Sequence, residues 1–403
     1  MIGKNIKITI LLIGFLFSTF VYATIEEYKK AVELDGNNVI KRYNLALAYY
    51  NECIGGNQKF CDSAIEAMKK ILETNLSDKE SHLKVDATAL QILGILYYNY
   101  KQDDNEAIKY FNRCIEINPS DGDNYYFAGL GYLRKNDNEN AIKFLMEALN
   151  KNTQNSLDAK FRLGQAYYRK KNYLDAINYL ESVVKSNPEH LEARELLGII
   201  YHNRNDSLKA IKNLNIVVKY NPRNFNAFYL LGLNYFKEKQ YDKMIDSYKK
   251  AIEINPGYAE AYGALAMAYR DMGLVDIAMK TINKSLAIDP DYAGGYNILG
   301  NCYEDKGWHY KAIDMYKKAI LNKPDYASAF YNLGVVYDEI GDYNNAIDSY
   351  KKALKLKGDD ADIYFNLGVT YMKIENFQEA QFAFRESIKL DNSNKKAYEC
   401  LIE

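Results

Sequence analysis

Residues 259–292 read AEAYGALAMAYRDMGLVDIAMKTINKSLAIDPDY, and residues 327–360 read ASAFYNLGVVYDEIGDYNNAIDSYKKALKLKGDD. Overlaid, they place Leu265 on Leu333, Ala266 on Gly334, Tyr269 on Tyr337, Ala278 on Ala346 and Ile282 on Tyr350. The same marks recur outward along the chain. Pro188, Pro222, Pro256, Pro290 and Pro324 lie 34 residues apart, and Gly358 continues the series. Leu163-Gly164, Leu197-Gly198, Leu231-Gly232, Leu299-Gly300 and Leu367-Gly368 keep this beat, each followed by a tyrosine three residues after the glycine. Leu, Gly and Tyr at i, i+1 and i+4 share one face of a helix. A glycine beside a large leucine lets a partner helix approach closely, and the alanine twelve residues on does the same for the second helix. Gly273, Gly307 and Gly341 fall where a left-handed residue ends the first helix. Proline then closes the second one. One such hairpin cannot cover its own apolar face, so neighbours must stack.

The pattern resembles the tetratricopeptide repeat family. Its signature residues are Tyr262, Leu265, Ala266, Tyr269, Ala278, Ile282 and Pro290 in one stretch. In the other they are Phe330, Leu333, Gly334, Tyr337, Ala346, Tyr350 and Gly358. The resemblance implies an all-α, right-handed superhelical solenoid of about ten helix-turn-helix repeats. Full repeats are expected from near 39, 87, 122, 157, 191, 225, 259, 293, 327 and 361. Residues 39–156 read as divergent repeats with insertions, including eight residues around Lys79–Asp86 and one in the turn of repeat 87. Residues 157–394 read as regular repeats, 24–38 as an orphan capping helix and 395–403 as a C-terminal helical stub.

In that family the first helices line the inside of the superhelix, where a partner's peptide or helix lies. The fifth residue of each repeat then points inward, which gives Tyr43, Gln91, Tyr126, Phe161, Glu195, Tyr229, Gly263, Asn297, Tyr331 and Phe365. Tyr126, Phe161, Tyr229, Tyr331 and Phe365 form a row of rings suited to peptide contact. The alternative is that they pack against neighbouring helices. Asn297, Asn301, Glu304, Asp305, Asp338 and Glu339 give the later repeats an acidic character that suits a basic partner segment, or that makes an ordinary solvated surface. The Lys and Asn clamp with which some family members hold acidic C-terminal tails is not matched.

Composition narrows the function classes. The chain has 52 basic and 53 acidic residues, so it lacks the basic excess that nucleic-acid binding requires. Lys4 and Lys7, an apolar run from Ile8 to Phe17 and Val21-Tyr22-Ala23 read as a signal peptide over 1–23. An exported chain, periplasmic or extracellular, is expected from near Thr24; an uncleaved anchor is the alternative and the only route to membrane contact. Cys53 and Cys61 flank the insert Ile54–Phe60 and could staple it in an oxidising compartment, the alternative being two free thiols. Cys114 and Cys302 occupy small-residue packing positions. His82, His190, His202 and His309 show no metal-ligand spacing, and no phosphate loop or nucleophile elbow occurs. The expectation is a protein-binding scaffold with no enzymatic activity, cofactor, metal or small-molecule substrate. A self-assembling envelope protein and a non-catalytic subunit of an envelope enzyme complex are the alternatives.

Overall fold

The computed structural model describes residues 25–36, 38–73 and 79–402. The leader expected at 1–23 lies outside them. Among the described residues the chain is helical throughout, with no strand. One compact unit runs to Ala193 and a second begins at Arg194. In the first, α1 (Ile25–Leu34), α2 (Val39–Ile54), α3 (Lys59–Leu72), α4 (Lys79–Leu96), α5 (Asp104–Ile117), α6 (Gly122–Arg134), α7 (Asn138–Asn150), α8 (Ser156–Arg169) and α9 (Tyr173–Ser186) each pack on their chain neighbours. Helix α10 (Leu191–Asn203) carries the chain across the boundary. The second unit continues through α11 (Ser207–Tyr220), α12 (Phe225–Lys237), α13 (Tyr241–Ile254), α14 (Ala259–Asp271), α15 (Val275–Ile288) and α16 (Ala293–Asp305). It ends with α17 (His309–Asn322), α18 (Ala327–Glu339), α19 (Tyr343–Lys357), α20 (Ala361–Lys373), α21 (Phe377–Leu390) and α22 (Lys395–Ile402). No described helix is long and apolar enough to cross a membrane.

Local chemistry sets the helix boundaries. Asp137, Asn172, Asp206, Asp342 and Asn376 each accept a hydrogen bond from a first-turn amide of the helix they precede, which satisfies an otherwise orphaned donor. First helices end on a left-handed residue in register: Asn136, Lys171, Asn205, Lys239, Gly273, Gly307, Gly341 and Glu375 all have φ between 57° and 81°. Glycine takes that conformation without strain, whereas the lysines and the glutamate do so at a cost.

The core repeats one motif. A Cβ added to Gly232, Gly300, Gly334 or Gly368 would stand 2.4, 2.5, 2.7 or 2.7 Å from the ring of Tyr248, Tyr316, Tyr350 or Phe384. Those rings are 0–2% exposed. Full burial of a large side chain is worth about 1.5–3 kcal/mol. Only a helix without a side chain at that point lets the ring in. Where α14 carries Ala266 instead, the facing residue is the narrower Ile282, and both are fully buried. Ala176, Ala210, Ala278, Ala312, Ala346 and Ala380 are fully buried as well.

Two insertions take helical form. The eight residues around Lys79–Asp86 form no loop but lengthen α4, since they lack glycine and proline and continue the helix into Leu96. The extra residue of repeat 87 sits in a π-helical turn, Tyr97–Lys101, closed by left-handed Gln102; one added residue widens a turn in this way without ending the helix. Cys53 and Cys61 are joined by a disulfide across the turn between α2 and α3. Cys114 and Cys302 are buried, and burial pushes their thiols up to about 12 and about 11.

Candidate protein-binding face

Along the second unit, α14, α16, α18 and α20 also touch one another, each reaching past its intervening second helix. Their side chains therefore make one continuous wall. The residues singled out from the sequence take different places relative to such first-helix walls. In the first unit, Tyr126 and Phe161 are 2% and 5% exposed. Tyr126 donates from its hydroxyl to Asp158 at 2.7 Å, and Phe161 packs on the His190 ring at 4.7 Å. Packing is the account of these two, because neighbouring repeats close over them.

In the second unit, Tyr229, Tyr331 and Phe365 are half-buried. Each tilts against the core ring of its own repeat, Tyr248, Tyr350 or Phe384, at 5.9–6.0 Å and 44–49°. The core ring fixes the inner side of each inward ring, and the outer side stays accessible. Repeats 259 and 293 have Gly263 and Asn297 at this position. A ring covers Gly263 from an unexpected source, the residue preceding the next first helix.

Tyr258, Tyr292 and Tyr326 occupy the N-cap positions of α14, α16 and α18, where none makes a side-chain capping bond. Asn224 and Asp360, one repeat to either side, do cap their helices. Replacing such a cap costs roughly 1 kcal/mol per helix. Tyr258 lies 5.0 Å from Tyr229 and 5.2 Å from Phe225. Tyr292 covers Gly263 so closely that a Cβ there would meet its ring at 2.9 Å. All three remain half-buried. The sequence signal was present: each follows a repeat proline by two residues, at Pro256, Pro290 and Pro324.

Polar side chains run along the same wall. Asn332 donates from its amide to Asn297 at 3.1 Å and to Asn301 at 3.0 Å. Tyr316 lies 2.7 Å from the Asn301 amide oxygen and donates to Glu304 at 2.6 Å. Burial raises the Glu304 carboxyl above its ordinary range, partly offset by the Tyr316 bond. Most of the expected acidic patch is already engaged. Asp305 takes a two-pronged contact from Arg270 at 2.6 and 2.9 Å, Asp338 pairs with Lys373, and Glu339 lies 3.3 Å from His309. Glu260 stays exposed in the first turn of α14, two residues after Tyr258. A cleft of about 90 Å³ opens between α18 and α20, lined by Tyr331, Ser328, Lys357, Asp360 and Asp362 among others. Trp308 is 45% exposed at the start of α17, with Lys311 4.3 Å over its ring.

This architecture defines a helical-repeat protein whose first helices form a wall of half-open rings and amides. Profiles of the tetratricopeptide repeat match residues 87–121, 259–292, 293–326, 315–348 and 361–394, and a further repeat profile matches 232–273 and 337–375. Over these stretches the chain carries tetratricopeptide repeats. The profile of anaphase-promoting complex, cyclosome, subunit 3 matches 134–215. Among solved structures, the APC/C hetero-tetramer Cut9-Hcn1 aligns with 94% of this chain and 92% of its own, at 16% identity and a TM-score of 0.53. That likeness speaks for the fold alone. MamA aligns with 41% of this chain and 97% of its own, at 29% identity and a TM-score of 0.37. A thermophilic tetratricopeptide repeat protein of Thermus thermophilus aligns with 44% and 100%, at 25% and 0.39. No curated protein matches the chain.

Proposed function

We propose that this protein is a non-catalytic scaffold that holds a segment of a partner protein against the first-helix wall of repeats 225 to 361. The observation that carries the reading is the run of half-buried tyrosines Tyr229, Tyr258, Tyr292, Tyr326 and Tyr331, of which Tyr229 and Tyr331 rest on core rings. Rigid rings offer contact area at little entropic cost. The charged, apolar and small-residue order of the first 23 residues supports export as its location, and the Cys53–Cys61 disulfide is consistent with an oxidising compartment.

A self-assembling protein is the second reading. Leu321, Tyr310 and Phe382, on second helices, are 78%, 76% and 56% exposed and give it an apolar surface to use. Photo-crosslinking in cells, with the reactive residue placed in turn at Tyr292 and at Leu321, separates the two. Scaffolding yields heterologous adducts from position 292, weakened by Tyr229→Ala with Tyr331→Ala. Adducts only between copies of the chain, unaffected by those changes, would support self-assembly. Turnover of a substrate by the purified chain would overturn the non-catalytic reading.

A further inference from the structure

Three successive first helices forgo a side-chain cap and carry a half-open tyrosine in its place. Tyr292 covers Gly263, in a repeat that lacks an inward aromatic of its own, and Tyr258 packs on Tyr229. Charge separates between the two sets of helices. On α14, α16, α18 and α20 there are seven acidic residues and two basic ones, Arg270 and Lys373. On α13, α15, α17 and α19 there are twelve lysines and six acidic residues. Both cations on these four helices are committed to Asp305 and Asp338, so their surplus is negative; Lys323, at the end of α17, covers one face of Tyr326 at 5.3 Å. Glu260 is exposed in the first turn of α14, two residues after Tyr258, and Asp362 lines the cleft with Tyr331.

We infer that Tyr258, Tyr292 and Tyr326, with Glu260, form a site for a lysine- or arginine-bearing segment of a partner protein. A cation held over a tyrosine face is attracted by the ring, and a carboxylate at its edge completes the contact. The inference rests on the scaffold reading and adds the partner's chemistry to it. An acidic segment would meet the surplus of carboxylates. A purely apolar one would leave Glu260 desolvated without a partner.

The test is selection from a random peptide library on the full chain, followed by fluorescence anisotropy with an enriched peptide. Enriched peptides should be net basic. Tyr258→Leu with Tyr292→Leu should weaken their binding about tenfold or more. Glu260→Gln should weaken it less and flatten its salt dependence. Tyr326→Asn, which can regain a cap of the kind Asn224 makes, should lose affinity while keeping the helical circular-dichroism signal. Enrichment of acidic or uncharged peptides would overturn the basic-segment inference and leave the scaffold reading standing. Basic peptides whose binding ignores all four substitutions would overturn the site. Failure to enrich any peptide, together with crosslinks only between copies, would remove both.

Discussion

In repeats 225, 293, 327 and 361 the glycine that follows the helix leucine faces an aromatic ring, and that pairing can be tested directly. Gly334 faces Tyr350, whose Cδ1 and Cε1 lie 2.7 Å from where a Cβ would sit. Ordinary carbon contacts need about 3.5–4.0 Å, so Gly334→Ala asks a ring that is 2% exposed to move by about 1 Å. Overpacking of this kind costs about 1–3 kcal/mol. Against it stands a gain of about 0.8–1 kcal/mol from alanine's better helix propensity. The net expectation is destabilisation of roughly 1 kcal/mol. In a Tyr350→Ile background the obstruction is gone, as in the natural Ala266–Ile282 pair, and the same Gly334→Ala change should stabilise by up to about 1 kcal/mol. A four-variant cycle read from urea midpoints should therefore show a coupling of about 1–3 kcal/mol. Hydrogen exchange should confine the effect to α18, α19 and their neighbours. A Gly334→Ala change that costs the same in both backgrounds would refute the packing argument.

Lys239 holds a φ of 57° at the end of α12; Lys239→Gly should raise stability by about 1 kcal/mol by relieving left-handed strain, checked by thermal melting. Burial holds the Glu304 carboxyl above its ordinary range, so the folded chain binds this proton more readily than the unfolded one. The stability tied to the protonated form is fully present below the unfolded value and is lost as pH rises through the folded one. Glu304→Gln should therefore raise the urea midpoint near neutral pH, and the advantage should vanish below the carboxylate range. Reducing the Cys53–Cys61 disulfide should cost about 2–3 kcal/mol on the loop-entropy model, with faster hydrogen exchange in α2 and α3 and little change in α20.

The helical fold was legible because its cause is periodic. Leucine, glycine and tyrosine at fixed offsets state which faces pack, and the buried alanines confirm the phase residue by residue. What stayed hidden depends on contacts between repeats. Tyr126 and Phe161 share the inward position with Tyr229 and Tyr331, yet closure by neighbours buries the first two. The acidic residues looked like a patch because Asp305 and Asp338 find their cations 35 residues away, at Arg270 and Lys373. Tyr258, Tyr292 and Tyr326 escaped notice because each precedes the helix on which the inward position was counted. Only the geometry shows Tyr292 reaching back over Gly263. The Cys53–Cys61 pair was open from spacing alone, since pairing needs the turn to bring the two together.

The most direct test of the account compares both faces against one crosslinked partner. Its affinity would be measured for the wild-type chain, for Tyr258→Ala with Tyr326→Ala on the wall, and for Lys318→Ala with Leu321→Ala on α17. The account predicts a loss of about tenfold or more for the wall variant and little change for the other. Loss confined to the α17 variant would contradict it.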